Sequence, residues 1–185
     1  MKKTICLIFA PALLLTAFSA KAVPILVGSG NDSGHDYLVY EYMSGDDKNW
    51  GGAQLFALSQ GGYLTTLTDS SENAFVADLV NSTGLGEVWA GGFQNAPGDP
   101  DQNWNWVTGE SWSYTNWNFG EPNDFYGANS EQYLGINWTN DTWNDEGALG
   151  NIKGFVVERV PEPSIVALFG LGLLGLGIAR RKMRH

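Results

Sequence analysis

The sequence predicts an α+β domain, and three observations lead to that prediction. Two stretches, residues 49–59 and 69–80, space their apolar side chains at helical intervals. One strand pattern precedes these helices, and several short strand patterns follow them. A polar stretch at residues 95–131 has no sustained periodicity of either kind. Helices that come together, with strands before and after them, are typical of an α+β fold rather than of alternating β and α units.

The first two elements have clear local signals. Residues 36–42 are rich in aromatic and β-branched side chains, which favours a strand. Asn49 is a suitable cap for the first helix, and the pair Gly61-Gly62 ends that helix after about residue 59.

The second helix also has a defined start. Residues 63–67 alternate as a short strand, after which either Thr68 or Asp69 can cap the helix. Apolar side chains recur at helical spacing as far as Val80, and residues 81–86 then close the helix.

The remaining strands lie on both sides of the polar stretch. Residues 88–93 are predicted to form a buried strand just before it. Three short strands are predicted after it, at residues 132–136, 141–143 and 154–160. A connection as long as residues 95–131 indicates either a functional loop or an element that the pattern conceals.

The N-terminus has the three parts of a secretory signal peptide. Two lysines precede an apolar run at residues 5–18, and Ala20-Lys21-Ala22 is a small-x-small cleavage site. We therefore expect residues 1–22 to be removed. The alternative is a membrane anchor that stays attached, although the run is short for a membrane span.

The C-terminus, residues 161–185, is a second segment outside the domain. Pro-Glu-Pro at residues 161–163 is followed by an uncharged transmembrane stretch at 165–179 and a basic end. This order resembles the PEP-CTERM sorting tail of Gram-negative bacteria. The resemblance implies transient anchoring in the inner membrane, cleavage by an exosortase, and delivery to the outer envelope or the extracellular space. The alternative is a plain C-terminal anchor.

The domain between these ends, residues 23–160, is strongly acidic. It contains three basic and 19 acidic side chains, which gives a formal charge of −16. Such a charge repels phosphates, so we exclude nucleic acid as a partner. It favours cations, and oxygen-rich acidic loops suit calcium.

The cysteine and tryptophan contents indicate how this domain is stabilised. The only cysteine, Cys6, lies in the signal segment, so we expect no disulfide. Eight tryptophans lie between Trp50 and Trp143 and supply a large apolar area. Stability must therefore come from packing, with a bound metal as a possible addition.

Short motifs along the chain occur in an order that is typical of one family. They are Asn49-Trp50-Gly51-Gly52-Ala53, Gly61-Gly62-Tyr63-Leu64-Thr65-Thr66-Leu67, Ser71-Glu72-Asn73-Ala74-Phe75-Val76, Trp89-Ala90-Gly91-Gly92, Trp106-Val107-Thr108-Gly109-Glu110 with Asn116-Trp117, Glu121-Pro122-Asn123, Trp143-Asn144-Asp145 and Phe155-Val156-Val157-Glu158. Each motif alone is weak evidence for a family. In this joint order they resemble the C-type lectin domain over residues 36–158.

The resemblance implies a C-type lectin-like fold, with two helices and small antiparallel sheets around a long calcium-binding loop. This chain departs from the family because the paired cysteines are missing. Tyr133 and Val157 stand where two of those cysteines would be expected, and apolar packing can fill that space.

Five oxygen-bearing side chains are the candidates for one calcium site, which would also bind carbohydrate. They are Glu121, Asn123, Glu131, Asn144 and Asp145. Calcium takes six to eight oxygens at ~2.3–2.6 Å, and a cation would relieve the repulsion among the three carboxylates. Alone, Glu-Pro-Asn is more often a turn. In the family the resembling proline is cis, which turns the two flanking side chains toward one ion.

Other acidic and polar side chains have less defined roles. Glu131 is the least certain ligand, because its loop is slightly longer than the family's common form; Asn129 or Ser130 are the alternatives. Asp99, Asp101 and Asp124 stand where the family sometimes holds an auxiliary calcium, and the alternative is a solvated acidic loop. Asp141 and Glu146 are interpreted as surface residues or as partners of the ligands.

The resemblance implies a calcium-dependent, carbohydrate-binding function. In the family, Glu-Pro-Asn accompanies sugars with equatorial vicinal hydroxyls, such as mannose and glucose, whereas Gln-Pro-Asp accompanies galactose. The partner would be a glycan or exopolysaccharide. Trp138 or Phe125 could stack on a sugar face, or else pack in the core.

Two other classes of function compete with this one. A structural or adhesive matrix protein could keep the fold and use calcium only to stiffen the loop. An enzyme could use a pair of carboxylates among Glu110, Glu121 and Asp145 as a glycosidase does. The two histidines lie away from the motifs, however, and no nucleophile or phosphate-binding signature occurs, so we expect no enzyme.

Overall fold

A computed structural model describes residues 23–46, 48–147 and 152–161. These contain two helices and eight strands: β1 (Ile25–Asp32), β2 (His35–Glu41), α1 (Trp50–Ser59), β3 (Tyr63–Leu64), α2 (Ser70–Thr83), β4 (Val88–Gln94), β5 (Trp104–Trp106), β6 (Tyr133–Ile136), β7 (Trp143–Glu146) and β8 (Gly154–Arg159). The expected signal peptide at 1–22 and the transmembrane stretch at 165–179 lie outside them. None of the helices within the described ranges is long and apolar enough to span a membrane.

The strands form one mixed sheet instead of the small antiparallel sheets that were expected. Its order is β1-β2-β8-β4-β6-β7, with β3 paired to β8 and β5 paired to β4. The parallel pairing lies between β4 and β8, where Val88 is opposite Gly154 and Trp89 is opposite Phe155. This short ladder joins the two antiparallel halves, and only the tertiary fold could reveal it.

Local capping signals define both helices, as the sequence predicts. The Asn49 side chain accepts a hydrogen bond from the Gly52 N–H at 2.7 Å at the start of α1. At the start of α2 the Asp69 carboxylate accepts from the N–H groups of Ser71 and Glu72, so Asp69 and not Thr68 is the cap. Gly84 ends α2 in the left-handed conformation that glycine adopts most easily.

Two strands were missed because their sequences contain little strand signal. β1 includes Gly28 and Gly30, which suggest a loop when the sequence is considered alone. Both glycines lie under α2, where a Cβ at Gly28 would approach the Thr83 methyl to 2.7 Å and one at Gly30 would approach the Phe75 ring to 2.8 Å. Close approach of the helix therefore requires these glycines. β5 lies inside the supposedly irregular polar stretch.

Apolar side chains replace the missing cysteines. Tyr133 stacks on Trp50 with ring centroids 4.9 Å apart and meets the edge of Trp89 at 6.3 Å. Val157 is fully buried in the same cluster. The expectation that packing fills this space is confirmed.

A second aromatic cluster is centred on Trp143, which is fully buried. Its ring lies 5.6–5.8 Å, centroid to centroid, from four other rings: Trp106, Trp112, Tyr114 and Trp117. The Trp143 Nε1–H also donates to the Asn73 side-chain oxygen at 2.6 Å, which connects the cluster to α2. Trp143 thus attaches the long loop to both the sheet and a helix.

Replacing Trp143 by alanine should destabilise the domain by about 3–5 kcal/mol, because it removes a large buried ring and leaves a cavity. Urea denaturation followed by circular dichroism measures this loss. Trp138→Ala is the matched control, since Trp138 is 46% exposed in the β6–β7 connection, and it should cost about 1 kcal/mol or less. Equal losses for the two variants would contradict the role given to Trp143.

Candidate functional site

Two segments approach each other to form the candidate site. One is the loop around Glu121-Pro122-Asn123, whose Glu121–Pro122 peptide bond is cis, as the resemblance implied. The other is β7, whose Asn144 and Asp145 follow the anchoring Trp143 directly. The Asn118 N–H donates to the Trp143 carbonyl at 2.9 Å. This bond fixes the loop against β7 at Trp143, the residue directly before Asn144 and Asp145.

Asp145 connects the two segments directly. Its carboxylate accepts hydrogen bonds from the Asn123 N–H, at 2.9 and 3.0 Å to its two oxygens, and from the Asp124 N–H at 2.8 Å. Asp145 is almost completely buried. Backbone donors therefore hold this charged group in place and fix the position of the Asn123 side chain beside it.

Glu131 reaches the same loop from the start of β6. Its carboxylate accepts from the Phe125 N–H at 2.6 Å and is largely buried. Of the alternatives, Asn129 uses its side-chain oxygen to accept from the Gly98 N–H at 3.0 Å. The Ser130 hydroxyl is buried and has no hydrogen-bond partner.

Asp124 is a structural centre of this loop. It is buried, and its carboxylate accepts from the N–H groups of Asn129 at 2.8 Å and Glu131 at 3.0 Å. The other two candidates for an auxiliary calcium, Asp99 and Asp101, are exposed, and the Asp99 carboxylate accepts from the Gln102 amide at 3.2 Å. Asp124 therefore closes residues 124–131 into a compact loop with backbone groups as its partners.

Two buried glutamates lie behind the site: Glu146, which was interpreted from the sequence as a surface residue or a partner of the ligands, and Glu87, which was not singled out. The Glu146 carboxylate accepts from the Asn144 side-chain N–H at 3.1 Å, which leaves the Asn144 amide oxygen available to an ion. Glu146 is thus a buried partner of the candidate ligand Asn144, whereas Asp141 is exposed. Glu87 lies behind Glu146, and both of its carboxylate oxygens are fully buried.

Only the small residue Gly135 makes room for Glu87, because a Cβ there would overlap the Glu87 carboxylate. The sequence offers one signal of this arrangement: a glycine in the middle of a strand, which often marks close approach by another group. Glu87 itself precedes the buried Trp89 motif by two positions, and nothing in that motif marks the acid as functional.

Four glutamates at and behind the site have raised pKa values. Burial, followed by hydrogen bonding and charge repulsion from Asp145, raises the pKa of Glu121 to about 7. Burial and the negative charge of Glu146 raise the pKa of Glu87 to about 8. Burial is also the largest cause of the raised pKa values of Glu131 and Glu146.

No basic side chain in the ranges that the structure covers neutralises this cluster. The two ion pairs found there are His35–Glu158 and Arg159–Asp36. They join the start of β2 to the end of β8 and do not include any acid of the cluster. One oxygen of Glu121 is buried without a hydrogen-bond partner. An unpaired, buried carboxylate oxygen among like charges fits a cation ligand.

The closest cluster of metal-ligand side chains in the described ranges lies outside the candidate loop site. Among the described side chains, His35, Glu72 and Glu158 form a set with ligand atoms within 4.8 Å of one another, and the loop acids do not. Carboxylate and amide oxygens are ligands that calcium takes, so the three carboxylates and two amides of the loop suit calcium in type.

The contact of His35 with a motif residue corrects one sequence-based interpretation. His35 was placed away from the motifs, but its Nδ1 lies 2.6 Å from a carboxylate oxygen of Glu158. Glu158 is buried and also accepts from the Tyr63 hydroxyl at 3.0 Å and the Thr66 N–H at 3.0 Å. This network joins β2, β3 and β8, and it is separate from the loop site.

Comparison with protein families matches two parts of the chain. Residues 46–151 match the model of the lectin C-type domain, and residues 159–182 match the PEP-CTERM protein-sorting motif. The second match indicates an export and membrane-associated sorting signal at the C-terminus.

Curated relatives are similar over the same domain. A perlucin-like protein of Mytilus galloprovincialis is 37% identical over 56% of this chain and 65% of its own length. Ladderlectin of Oncorhynchus mykiss is 34% identical over 60% of this chain, which spans only 58% of that protein. C-type lectin lectoxin-Lio1 of Erythrolamprus poecilogyrus is 35% identical over 62% of this chain and 70% of its own length.

Solved structures share the fold at lower identity. C-type lectin CEL-I from Cucumaria echinata has a TM-score of 0.60 at 19% identity, with 71% of this chain and 94% of that chain covered. A calcium-independent type II antifreeze protein has a TM-score of 0.58 at 19% identity, with 75% and 96% covered. These relatives are lectins or share the lectin fold, and none indicates catalysis. The chain belongs to the C-type lectin domain family.

Proposed function

We propose that this protein is an exported lectin that binds mannose- or glucose-type glycans through one calcium ion. The observation that supports this most is the junction at Asp145. Its carboxylate holds the backbone of Asn123 and Asp124, while Glu121 keeps one buried oxygen unpaired. The ligands would be Glu121, Asn123, Glu131, Asn144 and Asp145.

Calcium would relieve the repulsion within this group and supply a Lewis-acidic centre for two neighbouring sugar hydroxyls. The residues around it would provide the specificity, since carboxylates accept hydrogen bonds and amide NH2 groups donate them. Asn144 donates one of its two N–H groups to Glu146, so the second is available to a hydroxyl. Glu146 would thereby orient the Asn144 amide so that its oxygen binds calcium and its free N–H donates to the sugar hydroxyl.

The proposed place of action is outside the cytoplasm. The PEP-CTERM match supports a tail at residues 161–185 that an exosortase processes, and we propose a signal peptide at 1–22 and a lectin domain at 23–160. The glycan would then belong to the outer envelope or to extracellular polysaccharide. The charge of −16 on residues 23–160 disfavours polyanions such as nucleic acid.

A structural or adhesive role is the second candidate. Two observations favour it: a calcium-independent antifreeze protein has the same fold, and Asp124 closes the loop with backbone hydrogen bonds alone. In that case the partner is a protein or the matrix itself, and the loop needs no sugar.

Isothermal titration should detect calcium uptake at neutral pH, and mannose-type oligosaccharides should bind only when calcium is present. Chelation should abolish this binding and lower the melting temperature. The double change Glu121→Gln and Asn123→Asp should move binding toward galactose or remove it, because it reverses the order of acid and amide around Pro122.

The matched control is the pair Asp99→Asn and Asp101→Asn on the exposed acids, which should leave glycan binding intact. A lower calcium stoichiometry in that control would reveal an auxiliary ion. No calcium uptake at neutral pH would refute the proposal, whereas calcium uptake without glycan binding would support the structural role.

Without calcium, the domain should lose stability as the pH rises from about 5 to about 8. The pKa of Glu87 is raised to about 8, so the folded chain keeps a proton that the unfolded chain releases near its ordinary pKa. Between those values deprotonation favours unfolding, by up to about 1.4 kcal/mol per pH unit for one group. Urea denaturation with a chelator, repeated across this range, measures the slope.

Glu87→Gln should reduce this slope, because an uncharged amide does not titrate, while the raised pKa values of Glu121, Glu131 and Glu146 leave a smaller slope of the same sign. Asp101→Asn, on an exposed acid away from the cluster, should leave the slope as in the unchanged protein. An undiminished slope in Glu87→Gln would show that the buried carboxyl is not its source.

A further inference from the structure

The longest described strand, β1, lies at one edge of the sheet. It pairs with β2 on one side, and none of the strands in the described ranges pairs with its other side. Every second backbone N–H and C=O group of an edge strand points away from the sheet, where water or another strand must satisfy it. β1 therefore offers a row of such groups along its eight residues, at ~3.3 Å per residue.

This edge lacks most of the features that usually prevent further strand pairing. Such features are short length, lysine, proline and charges that point inward. Residues 25–31 contain no lysine, no proline and no charged side chain, and the first acid is Asp32 at the end of the strand. Ile25 and Leu26 are about half exposed, and the pairing with β2 is irregular only between Leu26 and Gly28. Most of the edge is thus regular, uncharged and partly apolar.

The uncharged surface continues from β1 onto α1. Leu26 lies opposite Tyr40 in the sheet, and Tyr40 belongs to the apolar cluster beneath α1. α1 contains no charged residue, and its Leu55 and Leu58 are 70% and 57% exposed. An open groove of about 630 Å³ is lined by both Pro24 and Leu55. The edge strand and the outer side of the helix therefore border one apolar surface.

The charge of the domain restricts which partner this surface fits. Residues 23–160 carry a formal charge of −16, so two copies repel each other wherever their acids meet. Residues 25–31 and α1 allow contact without that repulsion, and a charged partner gains no ion pair there. The outward backbone groups require another open strand edge. The β1 edge of a second copy is such an edge, with the same uncharged side chains.

The single acid of β1 selects the direction of the pairing. Parallel pairing would place the Asp32 side chains of the two copies side by side. Antiparallel pairing places them at opposite ends of the shared ladder and has the two-fold symmetry of most homodimers. Overlap of the whole strand then puts the exposed Ser29 at or next to the two-fold axis. The neighbours of Ser29 are Gly28 and Gly30, which have no side chains to obstruct the approach.

We propose that two copies of this protein associate through antiparallel pairing of their β1 strands, which gives one continuous sheet across a homodimer. The exposed leucines of α1 border the contact. The inference rests on the edge strand and is independent of the proposed lectin function. If that function holds, the dimer carries two binding sites, and it binds a surface with many copies of one glycan more tightly than a single site does.

Cysteine cross-linking of the full chain in a mild non-ionic detergent tests the contact at one residue. Because Cys6 is the only native cysteine, the change Cys6→Ser gives a background without thiols. In that background Ser29→Cys should form a covalent dimer with a short bismaleimide, since directly opposite Cβ atoms in an antiparallel pair lie about 5 Å apart. The matched control Asp101→Cys, on an exposed acid outside β1 and α1, should remain monomeric on a denaturing gel.

Charge substitutions test whether association depends on this contact. In analytical ultracentrifugation of the full chain, in the same detergent, the unchanged protein should sediment as a dimer. Ser29→Glu and Ser29→Lys should each weaken the dimer about tenfold or more, because like charges then face each other. An equimolar mixture of the two variants should restore the dimer, which also shows that both variants are folded.

Phe125→Ala is the control for loss of an exposed apolar side chain elsewhere, and it should leave the dimer unchanged. Phe125 is 75% exposed, which also removes the sequence-based alternative that it packs in the core. A monomeric unchanged protein, a Ser29→Cys variant that cross-links no more than Asp101→Cys, or a dimer that persists in Ser29→Glu alone would each overturn the proposal. A dimer without calcium uptake or glycan binding would refute the lectin function alone.

Discussion

The packing around Trp143 is the constraint on which the rest of the structure depends. A long loop in a domain without cysteine has no covalent attachment, and here buried indole rings provide the attachment. The Trp143 carbonyl accepts from Asn118, its ring donates to Asn73 on α2, and Asn144 and Asp145 follow it along the strand. The residue that secures the loop to the core therefore also sets the position of the candidate ligands Asn144 and Asp145.

The site shows how an acidic cluster can be kept in a folded domain without cationic side chains. Backbone N–H groups stabilise the carboxylates in place of lysine or arginine side chains. Asp145, Glu131 and Asp124 each accept a hydrogen bond from at least one backbone N–H. Glu87 and Glu146 lie deeper, where burial raises their pKa values and favours their neutral forms. Backbone donors thus hold the outer acids in fixed positions, and the inner acids avoid unpaired charge by favouring their neutral forms.

Prediction from the sequence succeeds where the cause is local and fails where it is distant. Asn49 was identified as one cap, and Thr68 or Asp69 as the other, because a cap acts within three residues of itself. β1 was missed because its glycines make sense only once α2 lies on them, and the parallel ladder of β4 with β8 joins distant parts of the chain. For the site, the ordered motifs identified the ligand candidates. Their burial, and the place of Glu87 behind them, required the fold.

The tryptophan cluster also gives the molecule a built-in optical reporter. Trp104 and Trp112 lie with ring centroids 5.5 Å apart and planes at 21°, and Trp106 approaches Trp112 to 4.4 Å. Near-ultraviolet circular dichroism depends on fixed packing of aromatic rings, so this cluster should contribute a component that is present only while the loop is docked. If the loop detached, that component would vanish while the far-ultraviolet helix signal remained. The state of the loop can therefore be followed without any label.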